Sequence, residues 1–210
     1  MNRIIISGIS LTNPDTFQPT QYLSNDDAIP ADNGKFHYPV CSYLKKNMRP
    51  GDKYKVILLV KKDDNKNYEK NIDIFKKEME EANTDAGAEI EYASPVYTDF
   101  KEELTVHEQL MDQLIDRIED GDHIIYDMTY GPKDQPIVVF TALNFAEKYL
   151  GCEMERIIYG QITNFDENHN PVKGIMCDMA PLFSLSSILN LINSDDPEKS
   201  RKLLKSLLSV

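Results

Sequence analysis

Short apolar runs alternate with longer amphipathic stretches along this chain of 210 residues. Five runs rich in β-branched residues predict strands, at Arg3–Gly8, Tyr54–Val60, Glu89–Val96, Asp122–Met128 and Met154–Ile162. Apolar positions at helical spacing predict helices between them, at Tyr38–Met48, Asn67–Ala82, Lys101–Asp120 and Asp134–Leu150. This alternation favours an α/β fold with a Rossmann-like, mostly parallel sheet that is flanked by helices on right-handed crossovers.

Two parts of the chain fall outside this alternation. Ser10–Lys35 is polar and contains three prolines, which predicts an irregular excursion or a small hairpin around Gln21–Leu23. After the fifth strand, a polar turn at Gln161–Gly174 leads to a possible short strand at Val172–Cys177. We therefore predict a Rossmann-like domain over residues 1–165 and a C-terminal extension over residues 166–210 that packs on the same domain.

The extension ends in two short predicted helices, Pro181–Ile192 and Pro197–Leu208, with Asp196 as the N-cap of the second. Four leucines give this second helix an apolar stripe: Leu203, Leu204, Leu207 and Leu208. The default expectation is that the stripe packs on the core, and a partner subunit is the alternative.

Acidic residues outnumber basic ones by 35 to 23, which gives a net charge of −12. This charge argues against long nucleic acids and acidic membranes as partners, but it allows a small anion in a locally basic pocket. Cys41, Cys152 and Cys177 are widely spaced, and the four histidines form no pair at metal-ligand spacing. With no visible signal peptide or membrane-spanning run, we expect a cytoplasmic protein with reduced thiols, no metal and no cofactor.

The segment from His123 to Pro136 carries the strongest chemical signal. A buried strand ends there, a long apolar helix follows, and ligands of parallel α/β sheets bind beyond the carboxyl ends of strands. Gly131 would permit close backbone approach, Lys133 would neutralise a phosphate, and Thr129 and Gln135 would donate hydrogen bonds.

The alternative interpretation of this segment is structural. Asp134 would cap the helix with Pro136 in its first turn, Asp127 would bond a neighbouring backbone group, and Lys133 would be solvated.

A second candidate loop follows the first strand, in the order Gly8, Ile9, Ser10, Leu11, Thr12 and Asn13. It lacks the three-glycine fingerprint of dinucleotide binders, and no phosphate-binding GxxxxGK[ST] loop occurs in the chain. Ser10, Thr12 and Asn13 could line a crevice at the carboxyl edge of the sheet. They could equally belong to an ordinary polar loop whose side chains cap their own turn.

Asp127-Met128-Thr129-Tyr130-Gly131, followed by Gln135-Pro136 and an apolar helix, resembles the Asp-x-Thr-His-Gly motif of CRISPR-associated DxTHG-motif proteins. Those proteins carry a CARF domain, a Rossmann-like dimeric sensor of cyclic oligoadenylates in type III CRISPR immunity. The first strand, its Gly/Ser/Thr loop, Tyr22 and the predicted helix at Tyr38–Met48 are similar in order and spacing. Tyr130 stands where the family has histidine, and the resemblance matches Lys133 with an arginine that many members carry after the motif.

The resemblance implies a homodimer that binds cyclic tetra- or hexa-adenylate. The implied ligand-binding residues are Gly8, Ile9, Ser10, Leu11, Thr12, Asn13, Asp127, Thr129, Tyr130, Gly131, Lys133 and Gln135, and Tyr130 could stack on an adenine.

The residues beyond the fifth strand are too few for the helical ribonuclease domain that many family members carry. We therefore expect a metal-independent ring nuclease in which a ribose 2′-hydroxyl attacks the adjacent phosphorus. Lys133 would stabilise charge, and Ser10, Thr12 and Thr129 would orient the phosphate oxygens and the ribose. The alternatives are a non-catalytic sensor that acts through a partner, and an unrelated Rossmann-like enzyme for a nucleotide or small metabolite.

Overall fold

The computed structural model describes residues 2–99, 103–191 and 196–207. Its strands are β1 (Asn2–Gly8), β2 (Thr20–Leu23), β3 (Lys35–Phe36), β4 (Lys53–Lys61), β5 (Glu89–Tyr92), β6 (Val96–Thr98), β7 (His123–Asp127), β8 (Glu153–Phe165) and β9 (Pro171–Asp178). Its helices are α1 (Pro39–Asn47), α2 (Asn67–Asn83), α3 (Leu104–Ile115), α4 (Gln135–Tyr149), α5 (Ala180–Leu191) and α6 (Pro197–Leu207).

The strands form one sheet in the order β3-β2-β9-β8-β7-β1-β4-β5, with β6 also paired to β4. Neighbours are parallel except for the β2–β3 and β8–β9 pairs, which are antiparallel. The predicted α/β, Rossmann-like class with a mostly parallel sheet is therefore confirmed. β1 lies between β7 and β4, so the loops that follow these strands share one edge of the sheet.

Both faces of the sheet are covered, which explains why the central strands are apolar along their whole length. Ile5 and Ile9 belong to the core that packs under α1 and α2, and Ile4 and Ile6 belong to the core under α3 and α4. Successive residues of β1 belong to opposite cores because side chains along a strand point alternately to the two faces of the sheet. In the described ranges, no helix combines the length and the apolar character that crossing a bilayer requires.

The single strand predicted at Glu89–Val96 is wrong, because the structure divides it into β5 and β6. Both segments pair with β4, β5 near its start and β6 near its end. Pro95 lies between them and has no N–H to donate to a ladder. The polar excursion does contain the predicted hairpin, formed by β2 and β3, and β2 also joins the main sheet beside β9.

The polar turn predicted at Gln161–Gly174 is also wrong in extent. β8 continues to Phe165 and pairs with β9 as an antiparallel hairpin. Its tip is held by Asp166, whose Oδ1 accepts hydrogen bonds from the backbone N–H groups of Asn168 (2.9 Å) and Asn170 (2.8 Å). Strand pairing satisfies the backbone of polar residues as well as apolar ones, so a polar hairpin gives little periodic signal. The hairpin spans the predicted boundary at residue 165, which stays a prediction.

The C-terminal helices differ from their predictions at several points. The N-cap is confirmed, since Asp196 Oδ1 accepts hydrogen bonds from Glu198 N (2.9 Å) and Lys199 N (3.3 Å). Core packing of the apolar stripe is wrong for Leu203, which is 47% exposed. Lys101, Ile192 and Leu208, at the ends of predicted helices, lie outside the described residues, and α3 ends at Ile115 rather than Asp120.

Candidate ligand-binding site

The loops after β1 and β7 meet at the carboxyl edge of the sheet. At Gly8, a Cβ atom would lie 2.0 Å from the carbonyl oxygen of Tyr130 and 2.9 Å from Nε2 of Gln135. At Gly131, whose φ is +119°, a Cβ atom would lie 2.6 Å from the same Nε2. Only glycine fits these positions without displacing the neighbouring groups. Residues 8–13 and 127–135 therefore form one continuous surface, which we call the cradle.

The first half of the cradle is organised by its own hydroxyl and amide groups. Ser10 is 2% exposed, and its Oγ donates to Oγ1 of Thr12 at 3.0 Å and accepts from Thr12 N at 3.2 Å. Asn13 Oδ1 accepts a hydrogen bond from Asp15 N at 3.0 Å, as in a self-capped turn. Thr12 and Asn13 are exposed, so their side chains are the ones presented to solvent at this edge.

Helix α2 fixes this loop from outside. Asn71 Nδ2 donates to the carbonyl oxygens of Ser10 (2.7 Å) and Thr12 (2.9 Å), and Asn67 Nδ2 donates to that of Leu11 (3.3 Å). Leu11 itself is half-buried. Neither Asn67 nor Asn71 was predicted from the sequence to hold this loop. The available signal was an asparagine on the apolar face of a predicted helix, where a buried amide must find partners.

Asp127 is buried and holds α1 rather than facing solvent. Its Oδ2 accepts a hydrogen bond from Val40 N at 3.2 Å, and its Oδ1 accepts one from Thr129 N at 2.9 Å. Tyr38 precedes α1 and supplies no side-chain cap. The carboxyl of Asp127, at the end of β7, instead accepts the hydrogen bond from a backbone N–H group in the first turn of α1. Burial raises the pKa of Asp127 to about 6, although these hydrogen bonds favour the charged form. Thr129 Oγ1 accepts from Gly160 N at 2.9 Å, which ties the loop to β8.

Tyr130 occupies the position of the family histidine and lies in an aromatic cluster. Its ring meets those of Phe17 and Tyr38 edge to face, at centroid distances of 5.5 and 5.3 Å. Its hydroxyl donates to the carbonyl oxygen of His37 at 2.9 Å, and burial raises the pKa of the phenol. His37 is held in turn by Glu78, whose Oε1 lies 2.7 Å from both the backbone N and Nδ1 of His37.

Lys133 is exposed and makes no hydrogen bond or ion pair with any residue in the described ranges. The expectation that the Asp134 side chain caps α4 is wrong. Its Oδ2 instead lies 2.6 Å from Nε2 of His107 on α3. Gln135 is 4% exposed and donates a long hydrogen bond, 3.5 Å, to the Tyr130 carbonyl oxygen. The second half of the cradle therefore presents Lys133 beside the Gly131 turn.

The cradle can bind an anion through the ammonium of Lys133, the hydroxyl of Thr12, the amide of Asn13 and backbone N–H groups. The carboxyl groups of the cradle, Asp127 and Asp134, are both engaged by other parts of the protein. Among the described residues, no group of three or more His, Cys, Asp or Glu side chains could hold a metal ion. The cradle is therefore equipped for positioning and charge neutralisation more than for proton transfer.

No protein-family model matches the chain. A comparison with curated proteins finds the CRISPR-associated protein MJ1674 of Methanocaldococcus jannaschii, 26% identical over 122 residues. The match covers 50% of this chain and 19% of that protein, so it spans about a fifth of the length of the curated relative. Half of the chain is therefore similar to part of a much longer CRISPR-associated protein.

Proposed function

We propose that this protein binds a cyclic oligoadenylate in the cradle and acts in type III CRISPR immunity. The observation that carries the proposal is the contact between Gly8 and the Tyr130–Gln135 loop, which joins two polar loops into one surface beside Lys133. The resemblance of Asp127–Gly131 to the Asp-x-Thr-His-Gly motif supports the choice of ligand. The similarity to a CRISPR-associated protein supports the biological setting.

The ligand has two-fold symmetry, which favours a two-fold homodimer. Two copies of the cradle around the dimer axis would surround one ring with equivalent contacts, as an isologous interface requires. Each Lys133 would then face a phosphate of the ring, and Thr12 and Asn13 would provide a hydroxyl and an amide from each subunit.

We further propose that the bound ring is cleaved without a metal ion. The ribose 2′-oxygen forms a bond to the adjacent phosphorus while the bond from phosphorus to the 5′-oxygen breaks. The proton of the 2′-hydroxyl passes to solvent, and the departing 5′-oxygen takes a proton from solvent. The products carry a 2′,3′-cyclic phosphate and a 5′-hydroxyl. Lys133 would stabilise the charge that develops on the phosphorane oxygens.

The hydroxyl groups would orient the ring. Because the buried Ser10 donates its hydrogen bond to Thr12, the Thr12 hydroxyl is left to donate towards a phosphate. Thr129 accepts its hydrogen bond from Gly160 N, so it would fix the loop that carries Lys133.

The test is to incubate the pure protein with cyclic tetra- and hexa-adenylate in a chelating buffer, and to follow binding by calorimetry and products by chromatography. Lys133→Ala should weaken binding roughly tenfold or more, because a charge-assisted contact is lost. Lys77→Ala, which removes an exposed lysine of α2, should leave both readouts unchanged.

The outcomes separate the candidate functions. Binding with intact rings after hours would reject cleavage and favour the non-catalytic sensor. That role is also supported by the engagement of both carboxyl groups of the cradle, Asp127 and Asp134, with other parts of the protein. Absence of binding to either ring would reject the whole proposal and leave an unrelated Rossmann-like nucleotide enzyme.

A further inference from the structure

Helix α5 is held to the protein by one of its faces. On this inner face, the ring of Phe183 is buried and meets that of Phe140 on α4 edge to face, at a centroid distance of 5.6 Å. Ser187 Oγ lies 2.8 Å from Asn144 Oδ1 and 3.0 Å from Glu147 Oε2, both on α4. These contacts fix the rotation of α5 about its axis, so the opposite face points to solvent.

The solvent face of α5 is apolar. Leu182 is 53% exposed, and Ile188 and Leu189 are exposed as well. The half-buried Leu185 lies three or four positions from each of them, so the four side chains form one surface, which we call the α5 ridge. No charged residue occurs in Ala180–Leu191. An exposed apolar surface of this kind on a soluble protein marks an interaction site.

Helix α6 has a second apolar surface, with a basic surround. Leu203 is exposed and Leu204 is half-buried. Glu198 is the one acidic residue of α6, and its contact with Arg201 (3.5 Å) is weak because both side chains are 73% exposed. The basic residues of α6 are Lys199, Arg201, Lys202 and Lys205. The partner of α6 is therefore expected to be apolar where it meets the leucines and acidic around them.

A second copy of this chain meets both requirements. Its α5 ridge offers an uncharged apolar surface to the leucines, and its net charge of −12 attracts the basic residues of α6. An acidic lipid surface is the other partner that basic amphipathic helices bind. Such a surface would repel a chain of this net charge, and it would leave the uncharged α5 ridge without an explanation.

We propose that the α5 ridge of one chain packs against α6 of a second copy, and that both copies make this contact about a two-fold axis. In such an isologous interface each ridge receives the α6 leucines of the other chain. Removal of the leucines from water drives the association. The inference rests on the two helices and not on the cyclic ligand, so the protein is a dimer before any ligand binds.

The experiment is sedimentation equilibrium of the ligand-free protein over a series of concentrations. Wild-type protein should have about twice the chain mass of 24.1 kDa. Leu189→Glu and Leu203→Glu each place a carboxylate inside the interface, so each should raise the dimer dissociation constant at least tenfold. Both side chains are exposed in the single chain, and circular dichroism should show unchanged folding. Leu104→Glu, at an exposed leucine of α3, is the matched control and should change the constant less than twofold.

A wild-type monomer throughout the series would overturn the inference. A dimer that both glutamate variants leave intact, or that Leu104→Glu weakens equally, would do so too. Co-sedimentation with phosphatidylserine vesicles tests the lipid alternative, and wild-type protein should stay in solution. Vesicle binding by a monomer that Leu203→Glu abolishes would assign α6 to a lipid surface instead.

The proposed function fails separately from this interface. Lys133→Ala should leave the mass of the ligand-free protein unchanged. A leucine-dependent dimer that binds neither cyclic tetra- nor hexa-adenylate would retain the interface and reject the cradle. A protein that binds a ring through Lys133 but is monomeric without it would do the reverse.

Discussion

Gly8 is the residue on which the joining of the two loops depends. Replacement by alanine places a methyl group on the Tyr130 carbonyl oxygen, so one loop must move. We expect Gly8→Ala to lower the free energy of unfolding by roughly 1–3 kcal/mol, as overpacking does, and to weaken ring binding as well. Urea unfolding and calorimetry measure the two effects.

Gly87 provides the control for this substitution. Its φ is +62°, and a Cβ atom there would have nothing within 4 Å. Gly87→Ala therefore costs only the backbone strain, about 1 kcal/mol, and should leave ligand binding intact. Equal binding by Gly8→Ala and Gly87→Ala would show that the contact between the loops does not shape the site.

At the scale of the element, the start of helix α1 is held by the carboxyl group of Asp127, the last residue of β7. The pKa of Asp127 is raised from 3.8 to about 6, so between these values the folded protein keeps a proton that the unfolded chain has lost. The contribution of Asp127 to stability is therefore fully present below pH 4 and decreases as the pH rises to 6. Two pKa units correspond to roughly 3 kcal/mol at most.

Asp127→Asn removes this titration. The stability of wild-type protein relative to the variant should increase as the pH falls from 7 to 4, by up to roughly 3 kcal/mol. Urea unfolding at several pH values measures the difference, and Asp64→Asn in the exposed loop after β4 is the control. Parallel pH profiles for wild-type and Asp127→Asn would contradict the assignment.

The elements that the sequence predicts well are those with a local periodic signal. β1 and α4 were recognisable from β-branched and helical spacing, and the strand-end rule correctly placed the loops of Gly8 and Gly131 at one edge. The pairing of β2 with β9 was not predictable, because partners so distant in sequence leave no local pattern. The hydrogen bonds from Asp127 to α1 and from Asn71 to the loop after β1 were not predictable for the same reason, since they also join residues that are distant in sequence.

At the scale of the whole molecule, a symmetric ring predicts a defined stoichiometry. We expect calorimetry to give one cyclic tetra-adenylate per two chains, and light scattering to give a mass about twice 24.1 kDa with the ring present. Lys133→Ala at the same ligand concentration is the control for ring occupancy. A complex of one ring with one chain would reject the two-fold arrangement and would show that the cradle of a single chain binds the ring.

The pairing of β2 with β9 also has a consequence for the order of folding. Gln21–Leu23 can complete its ladder only after residues 173–175 leave the ribosome, and such non-local pairings slow folding. Until then β2 has only the two-residue β3 beside it and exposes the rest of its backbone. An exposed strand edge can pair with another chain. The interval before residues 173–175 emerge is therefore the stage at which this protein is most vulnerable to aggregation.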